Sequence, residues 1–276
     1  MHAILEGAYF AIIAAIDYAG RFKFLGNNFM MLIDRYHFPT ISSTNSYAKE
    51  QMGLLHRERL TVISADRQLL GRGRLERSWH SPSSGNIYAS FCLFLPPDSR
   101  VGNLAQVLAL SAVEMAAQHH SFFRLKWPND LFLNGKKIGG ILAEVVDLES
   151  VWGVILGIGI NIHMDRQELS FISQAATSLF EETGRRFDLE ALLVQLIAIF
   201  QRNLKLFQSA GLAPFLETFQ SLQLTLPGEK VTLRDGSRHF QGLVSKIGPD
   251  GSLELIQDGY PLSFHSGEIS SLEPSS

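Results

Sequence analysis

The chain has 276 residues, a formal net charge of −3 and a composition that is 46% hydrophobic and 18% charged. That length allows one sizeable core or two domains, and the charge argues against a general nucleic-acid binder. The single cysteine, Cys92, excludes an intrachain disulfide and a cysteine metal cluster, which suits a reducing compartment.

Ala8 to Ile16 is an apolar run, too short for the ~20 residues of a membrane span. No Lys or Arg precedes it, as a signal peptide would need. Residues 1–30 are therefore expected to be a dispensable extension, with Met30 or Met31 as an alternative start. Asp34 to Ile41 reads as a strand, and Ser42-Ser43-Thr44-Asn45 supplies capping groups for a helix to about Met52. Leu60 to Ala65 and Ile87 to Leu95 are strands, and Cys92 within the second is expected to be a small buried apolar residue. Asn103 is expected to cap a helix carrying Leu104, Val107, Leu108, Val113 and Met115. Phe122 to Trp127 and Leu131 to Leu133 follow as strands, and Asn134-Gly135 is a hairpin turn into Lys136 to Asp147 and then Val151 to Ile162. Such hairpins predict an α+β fold, with a mixed, mainly antiparallel sheet and helices over one face. Asp188 opens a long amphipathic helix with Leu189, Leu192, Leu193, Leu196, Phe200, Leu204 and Phe207 on one side, and Leu212 to Gln223 is expected to be another helix. After Pro227-Gly228, short strands at Val231 to Leu233, Phe240 to Ile247, Leu253 to Gln257 and Tyr260 to Phe264 alternate with Asp-Gly turns, the pattern of a small β-barrel.

Two stretches carry chemistry. In the first, a strand alternates Phe123, Leu125 and Trp127 with Arg124 and Lys126, then meets Pro128, which cannot continue a ladder. The strand thus delivers Lys126, Asn129 and Asp130 to a sheet rim. In the second, Gly71-Arg72-Gly73-Arg74 joins open backbone N–H groups to two guanidinium groups, which recognise phosphate or carboxylate through paired donors. Together they point to chemistry on an anionic or phosphorylated intermediate. Taken singly, Ser43-Thr44-Asn45 is a helix cap and Gly139-Gly140 a bulge. His119, His120, His163 and His265 lack ligand spacing, so no protein metal site is assigned.

Five segments in order resemble one family, the biotin protein ligases, also called biotin–[acetyl-CoA carboxylase] ligases. They are Ser43-Thr44-Asn45, Gln68 ahead of the Arg-Gly loop, Lys126 to Asp130, Lys137-Ile138-Gly139-Gly140-Ile141-Leu142, and Gly157-Ile158-Gly159-Ile160-Asn161. Gly267-Glu268-Ile269-Ser270 fits as well. The resemblance implies a class II synthetase-like fold of the biotin/lipoate ligase superfamily over residues 31–224 and an SH3-like β-barrel over 225–276. It implies an ATP-dependent ligase that makes biotinyl-5′-AMP with Mg2+ and passes biotin to a lysine of the biotin carboxyl carrier protein of acetyl-CoA carboxylase. The expected setting is cytoplasmic, without nucleic acid or membrane, and a homodimer is compatible with it.

The catalytic residues so implied are Lys126, Arg72 and Arg74. Biotin contacts fall to Ser43, Thr44, Asn45, Gln68, Gly71, Arg72, Gly73, Arg74, Trp79, Lys126 and Gly140, with Trp79, Leu131 and Ile141 as a trough for the tail. Nucleotide contacts fall to Arg74, Arg77, Lys126, Asn129, Lys137 and Asn161, with Mg2+ near Asn161. The loop from Arg67 to His80 is expected to be mobile without ligand, because its four arginines face only Asp66 and Glu76 nearby. The chain departs from the pattern at Leu69-Leu70, where small or polar residues are usual, at Glu76 in place of glycine, and at Leu272 in place of an arginine. The short N-terminus is expected to hold no winged helix-turn-helix, hence no repressor function. The alternatives are a lipoate or octanoate ligase and a non-catalytic biotin-sensing module.

Overall fold

The computed structural model describes residues 31–271 except Glu76, together with two short strands, β1 (Ala14–Ile16) and β2 (Phe22–Phe24), which pair antiparallel. The expectations for the rest of residues 1–30, for Glu76 and for Leu272 lie outside the described residues.

Seven strands form the main sheet: β3 (Leu32–Phe38), β4 (Arg59–Ala65), β5 (Ile87–Leu95), β6 (Arg124–Lys126), β7 (Asp130–Leu133), β8 (Lys136–Asp147) and β9 (Trp152–Ile160). Their order is β3-β4-β5-β9-β8-β7-β6. Only β3 and β4 pair in parallel, and the chain crosses between them through α1 (Thr44–Gln51). The other neighbours are antiparallel, as hairpin turns demand. The strand expected from Asp34 to Ile41 begins earlier and stops at Phe38, ahead of Pro39.

Period-two alternation sends the central strands' side chains to two separate cores. Val62, Phe91, Val154 and Leu156 join the large core beneath α2 (Leu104–Ala117), where Phe91 meets Phe200 edge-on at 5.2 Å. Ile63, Cys92 and Ile155 face the other way, against Ala48 of α1 and Met52. The expectation of helices over one face therefore holds for α2 and the long C-terminal helix, while α1 covers the opposite face. Cys92 is fully buried in that smaller core.

Two short helices were not expected, α3 (Arg166–Leu169) and α4 (Leu179–Thr183). The long helix α5 (Leu189–Ala210) starts at Asp188 as predicted, whose carboxylate accepts the Ala191 N–H at 3.1 Å. The following helix is a 3-10 turn, Ala213–Phe215, running into α6 (Leu216–Ser221). Asn103 precedes α2 but makes no side-chain cap; its amide donates to the Asp250 carbonyl at 2.7 Å.

The C-terminal strands β10 (Lys230–Asp235), β11 (Arg238–Ile247), β12 (Leu253–Gln257), β13 (Tyr260–Phe264) and β14 (Glu268–Ser271) form a five-stranded antiparallel sheet ordered β13-β12-β11-β10-β14. No described helix is long and apolar enough to cross a membrane.

Candidate active site

A cavity of about 370 Å³ opens between the start of α1, the Arg-Gly loop, the strands β8 and β9, the segment from Lys126 to Asp130, and the rim of the C-terminal sheet. One wall is a buried polar cradle. Ser43 caps α1, accepting the Ser46 N–H at 3.4 Å. The next two residues face inward: Gln68 Oε1 accepts from the Thr44 backbone N–H at 2.9 Å and from its hydroxyl at 3.2 Å. Gln68 Nε2 donates to Ser81 at 3.3 Å. The Ser90 hydroxyl lies within 2.8 Å of Thr44 Oγ1 and 2.6 Å of Asn45 Oδ1. Asn45 Nδ2 donates to Glu144 at 3.0 Å. Burial makes each unmade bond costly, so this network holds the hydroxyls and amides in one arrangement.

The glycines of β9 explain how the cradle fits. A Cβ on Gly157 would collide with the Asn45 amide, and one on Gly159 would lie 2.5 Å from the Trp79 indole. Both lack side chains because Asn45 and Trp79 lie directly over the strand. Trp79 lines the cavity, and its Nε1–H is buried without an acceptor.

The opposite wall is cationic. Lys126 ends β6 and lines the cavity, yet among the described residues it makes neither an ion pair nor a side-chain hydrogen bond. Arg74 Nη1 donates to Asn129 Oδ1 at 3.0 Å and to the Gly267 carbonyl at 3.4 Å, with no carboxylate partner among the described residues. Burial lowers the Arg74 pKa, against the opposing pull of Asp130 and Glu268, yet a guanidinium stays charged at neutral pH. Its remaining N–H donors have no partner among the described residues and can meet an anion. The other Lys and Arg side chains of the lining are ion-paired: Arg72 with Glu144 at 3.2 Å, Arg77 and Arg234 with the one carboxylate of Glu268 at 2.6 and 2.7 Å, and Lys137 with Asp130 at 2.9 Å. Lys137 Nζ also lies 5.7 Å from the centroid of the Trp79 ring.

Most predicted site residues thus meet in one cavity: Ser43, Thr44, Asn45, Gln68, Arg72, Gly73, Arg74, Arg77, Trp79, Lys126, Asn129, Lys137 and Gly140. Others stand apart. Gly71 sits behind the wall, where a Cβ would meet Ser81 and the Trp79 carbonyl at 2.5 Å. Asn161 is buried outside the lining, its amide donating to the Thr177 carbonyl at 3.0 Å. Of the expected trough, Trp79 and Ile141 border the cavity, Ile141 with its side chain buried in the large core, and Leu131 is buried in that core away from the lining. Leu69 and Leu70 point into solvent, so they do not shape the cavity edge. The count of acids near the loop was also incomplete: Glu144 and Glu268, remote in sequence, hold Arg72 and Arg77. Ser90 and Glu144 went unnoticed in the sequence, although a serine inside the apolar run of β5 is itself a signal. No cluster of three or more His, Cys, Asp or Glu able to hold a metal exists among the described residues.

Comparison with known proteins matches residues 37–161 to the biotin/lipoate A/B protein ligase family. The bifunctional ligase/repressor BirA of Escherichia coli (strain K12) is 34% identical over 236 residues, 84% of this chain and 72% of that protein. The biotin–[acetyl-CoA-carboxylase] ligase of Paracoccus denitrificans is 32% identical over 203 residues, 70% of this chain and 82% of that protein. The fold superposes on the biotin protein ligase of Aquifex aeolicus, solved in complex with biotin and ATP, with a TM-score of 0.72 at 30% identity, covering 86% of this chain and 97% of that one. With the site's motifs gathered into one cavity and relatives matching along most of its length, the chain belongs to the biotin protein ligase family.

Proposed function

We propose that this protein is an ATP-dependent biotin protein ligase that forms biotinyl-5′-AMP and transfers biotin to a lysine of a biotin carboxyl carrier protein. The observation that carries the reading is the pairing of two cations without acid partners among the described residues, Lys126 and Arg74, with a buried hydroxyl-amide cradle in the same cavity. The first step joins two anions that repel each other, so fixed positive charge must hold them together. A carboxylate oxygen of biotin attacks the α-phosphorus of ATP, and the bond to the β-phosphate oxygen breaks, releasing pyrophosphate. Lys126 neutralises the approaching carboxylate and α-phosphate, and the free donors of Arg74 meet the charge that develops on phosphorus. In the second step the acceptor amine attacks the acyl carbon, the bond to AMP breaks, and the amine releases a proton.

The neutral ureido ring of biotin both donates and accepts, which matches the groups of Ser43, Thr44, Asn45 and Gln68. A dithiolane or a plain alkyl end would find no counterpart there, which favours biotin over lipoate or octanoate. The orphaned Trp79 Nε1–H is a further donor for a ligand. In this reading Arg77, Asn129 and Lys137 contact the nucleotide, and Asn161 shapes the turn behind it rather than touching it. Mg2+ enters with ATP in this reading, and no step is assigned to it. The seven-stranded part, residues 31–224, is assigned as the catalytic domain and 225–276 as the SH3-like domain.

Biotin-dependent exchange of labelled pyrophosphate into ATP tests the reading. Exchange with biotin and not with lipoate is expected. No exchange, or equal exchange with lipoate or octanoate, contradicts it, and biotin binding without exchange would favour a sensing module.

A further inference from the structure

Among the described residues nothing holds the side chain of Lys126, the cation at the centre of this reading, so its position depends on the backbone that presents it. Backbone support comes from an unexpected place. Four side chains of the seven-stranded part donate to three carbonyls of one turn in the C-terminal sheet, between β11 and β12. Gln220 Nε2 reaches the Ile247 carbonyl at 2.7 Å, Asn103 Nδ2 that of Asp250 at 2.7 Å, and Gln106 Nε2 and Trp127 Nε1 share that of Gly251 at 2.9 and 3.0 Å. Asn103, Gln106 and Trp127 are 9%, 4% and 3% exposed, so water cannot replace these bonds.

The turn is itself braced. Gly251 N–H donates to the Gly248 carbonyl at 2.9 Å, and Gly248 N–H to that of Ser252 at 2.7 Å. Asp250 Oδ1 accepts both the N–H and the hydroxyl of Ser252. Gly251 has φ +77, and a Cβ there would collide with the Asn103 and Gln106 amides. Only glycine lets these side chains close on the turn.

Trp127 immediately follows Lys126. Its backbone N–H donates to Gln223 Oε1 at 3.0 Å, and the Leu125 N–H to the Leu222 carbonyl at 2.8 Å. The strand end that carries Lys126 is thus fixed at the backbone by residues 222–223 and at the indole tip by the turn. We propose that Trp127, held by the Gly251 carbonyl, is a positioning residue through which the C-terminal sheet sets the placement of Lys126 for adenylation. The inference rests on the ligase reading above and adds a role for this sheet that does not depend on its touching the substrates.

The test follows biotinyl-AMP formation in the full chain for Trp127→Phe, Gly251→Ala and Gln220→Leu, with thermal unfolding measured for each. Trp127→Phe removes one N–H and keeps an aromatic ring. It should lower kcat about 10- to 100-fold, since misplacement by ~1 Å costs up to about 10²-fold, while KM for biotin and ATP stays within about threefold. Gly251→Ala displaces the shared carbonyl with Trp127 intact and should show the same split. Gln220→Leu removes a shorter bond, to the Ile247 carbonyl at the end of β11 beside the turn, without touching Trp127, and should leave kcat within about twofold. Near wild-type kcat in both Trp127→Phe and Gly251→Ala, or the same kcat loss in Gln220→Leu at matched melting temperature, overturns the proposal. A wild-type chain that makes no biotinyl-AMP overturns the ligase reading and this inference with it.

Discussion

Replacing Gly159 by alanine places one methyl group on the floor of the cavity, against the Trp79 indole. The new Cβ would lie 2.5 Å from Cε2 and Nε1 of Trp79 and 2.8 Å from Cζ2. Carbon contacts settle near 3.5–4.0 Å, so the indole must retreat by about 1 Å. It has little room: the Trp79 backbone N–H is bonded to the Gly71 carbonyl at 2.8 Å, Lys137 Nζ sits 5.7 Å from the ring centroid, and a Cβ on Gly140 would already be 3.6 Å from Cζ3. Overpacking of this kind costs about 1–3 kcal/mol. If the ring moves into the cavity, that cost appears as lost biotin affinity, about 5- to 150-fold. Calorimetry of biotin binding to Gly159→Ala measures it, with urea unfolding run alongside to find any share taken from stability. Gly53→Ala is the control, since an added Cβ there meets nothing within 4 Å. A biotin Kd within about twofold of wild type, with unchanged unfolding, would show that the Trp79 ring does not bound the biotin site.

Lys126→Ala should abolish biotinyl-AMP formation while changing unfolding by less than about 0.5 kcal/mol, because the side chain makes no partner to lose; retention of adenylation at near wild-type rate would remove Lys126 from the chemistry. Gln68→Leu strands the Thr44 N–H and hydroxyl and should weaken biotin binding by about 1–3 kcal/mol with a smaller effect on ATP; equal losses in calorimetry would indicate a general defect. Glu268→Gln loosens its ion pairs with Arg77 and Arg234, so limited proteolysis should cut the segment from Arg67 to His80 faster, with saturating biotin and ATP restoring protection; unchanged cutting would mean that the pair does not hold the loop. Burial pushes the Cys92 thiol up to about 12. The native protein should therefore resist thiol reagents at pH 8 until unfolded, and stability should decline above the unfolded thiol's pKa of about 8.5, where only the unfolded chain ionises. Rapid labelling of native protein would contradict the buried placement.

Much of the fold was legible because the sheet is built from hairpins with strong turn signals. The strands Ile87–Leu95, Lys136–Asp147, Leu253–Gln257 and Tyr260–Phe264 occupy the spans that alternation and turns predict. The candidate site was legible where its residues come in short motifs, and silent where function depends on contacts remote in sequence. Ser90 of β5 and Glu144 of β8 join the cradle only because α1 packs over the sheet and brings Asn45 to both. Asn103 has the chemistry of a helix cap, yet it ends a 3-10 turn with helical backbone, outside the extended conformation that capping uses, and its Nδ2 donates to a carbonyl of the C-terminal sheet. Leu131 pairs with Gly139, two residues before Ile141, so both side chains enter the large core, and strand register, which sequence does not display, puts only Ile141 beside the cavity. Trp127 looked like an ordinary core aromatic, and it is buried; the hydrogen bond from its indole to Gly251 appears only in three dimensions.

The most direct measurement is intact mass spectrometry of a purified biotin carboxyl carrier domain incubated with this protein, biotin, ATP and Mg2+. The account predicts a mass gain of one biotinyl group on a single lysine, dependent on ATP and lost with Lys126→Ala. An unmodified carrier, together with no biotinyl-AMP in the same reaction, would contradict it.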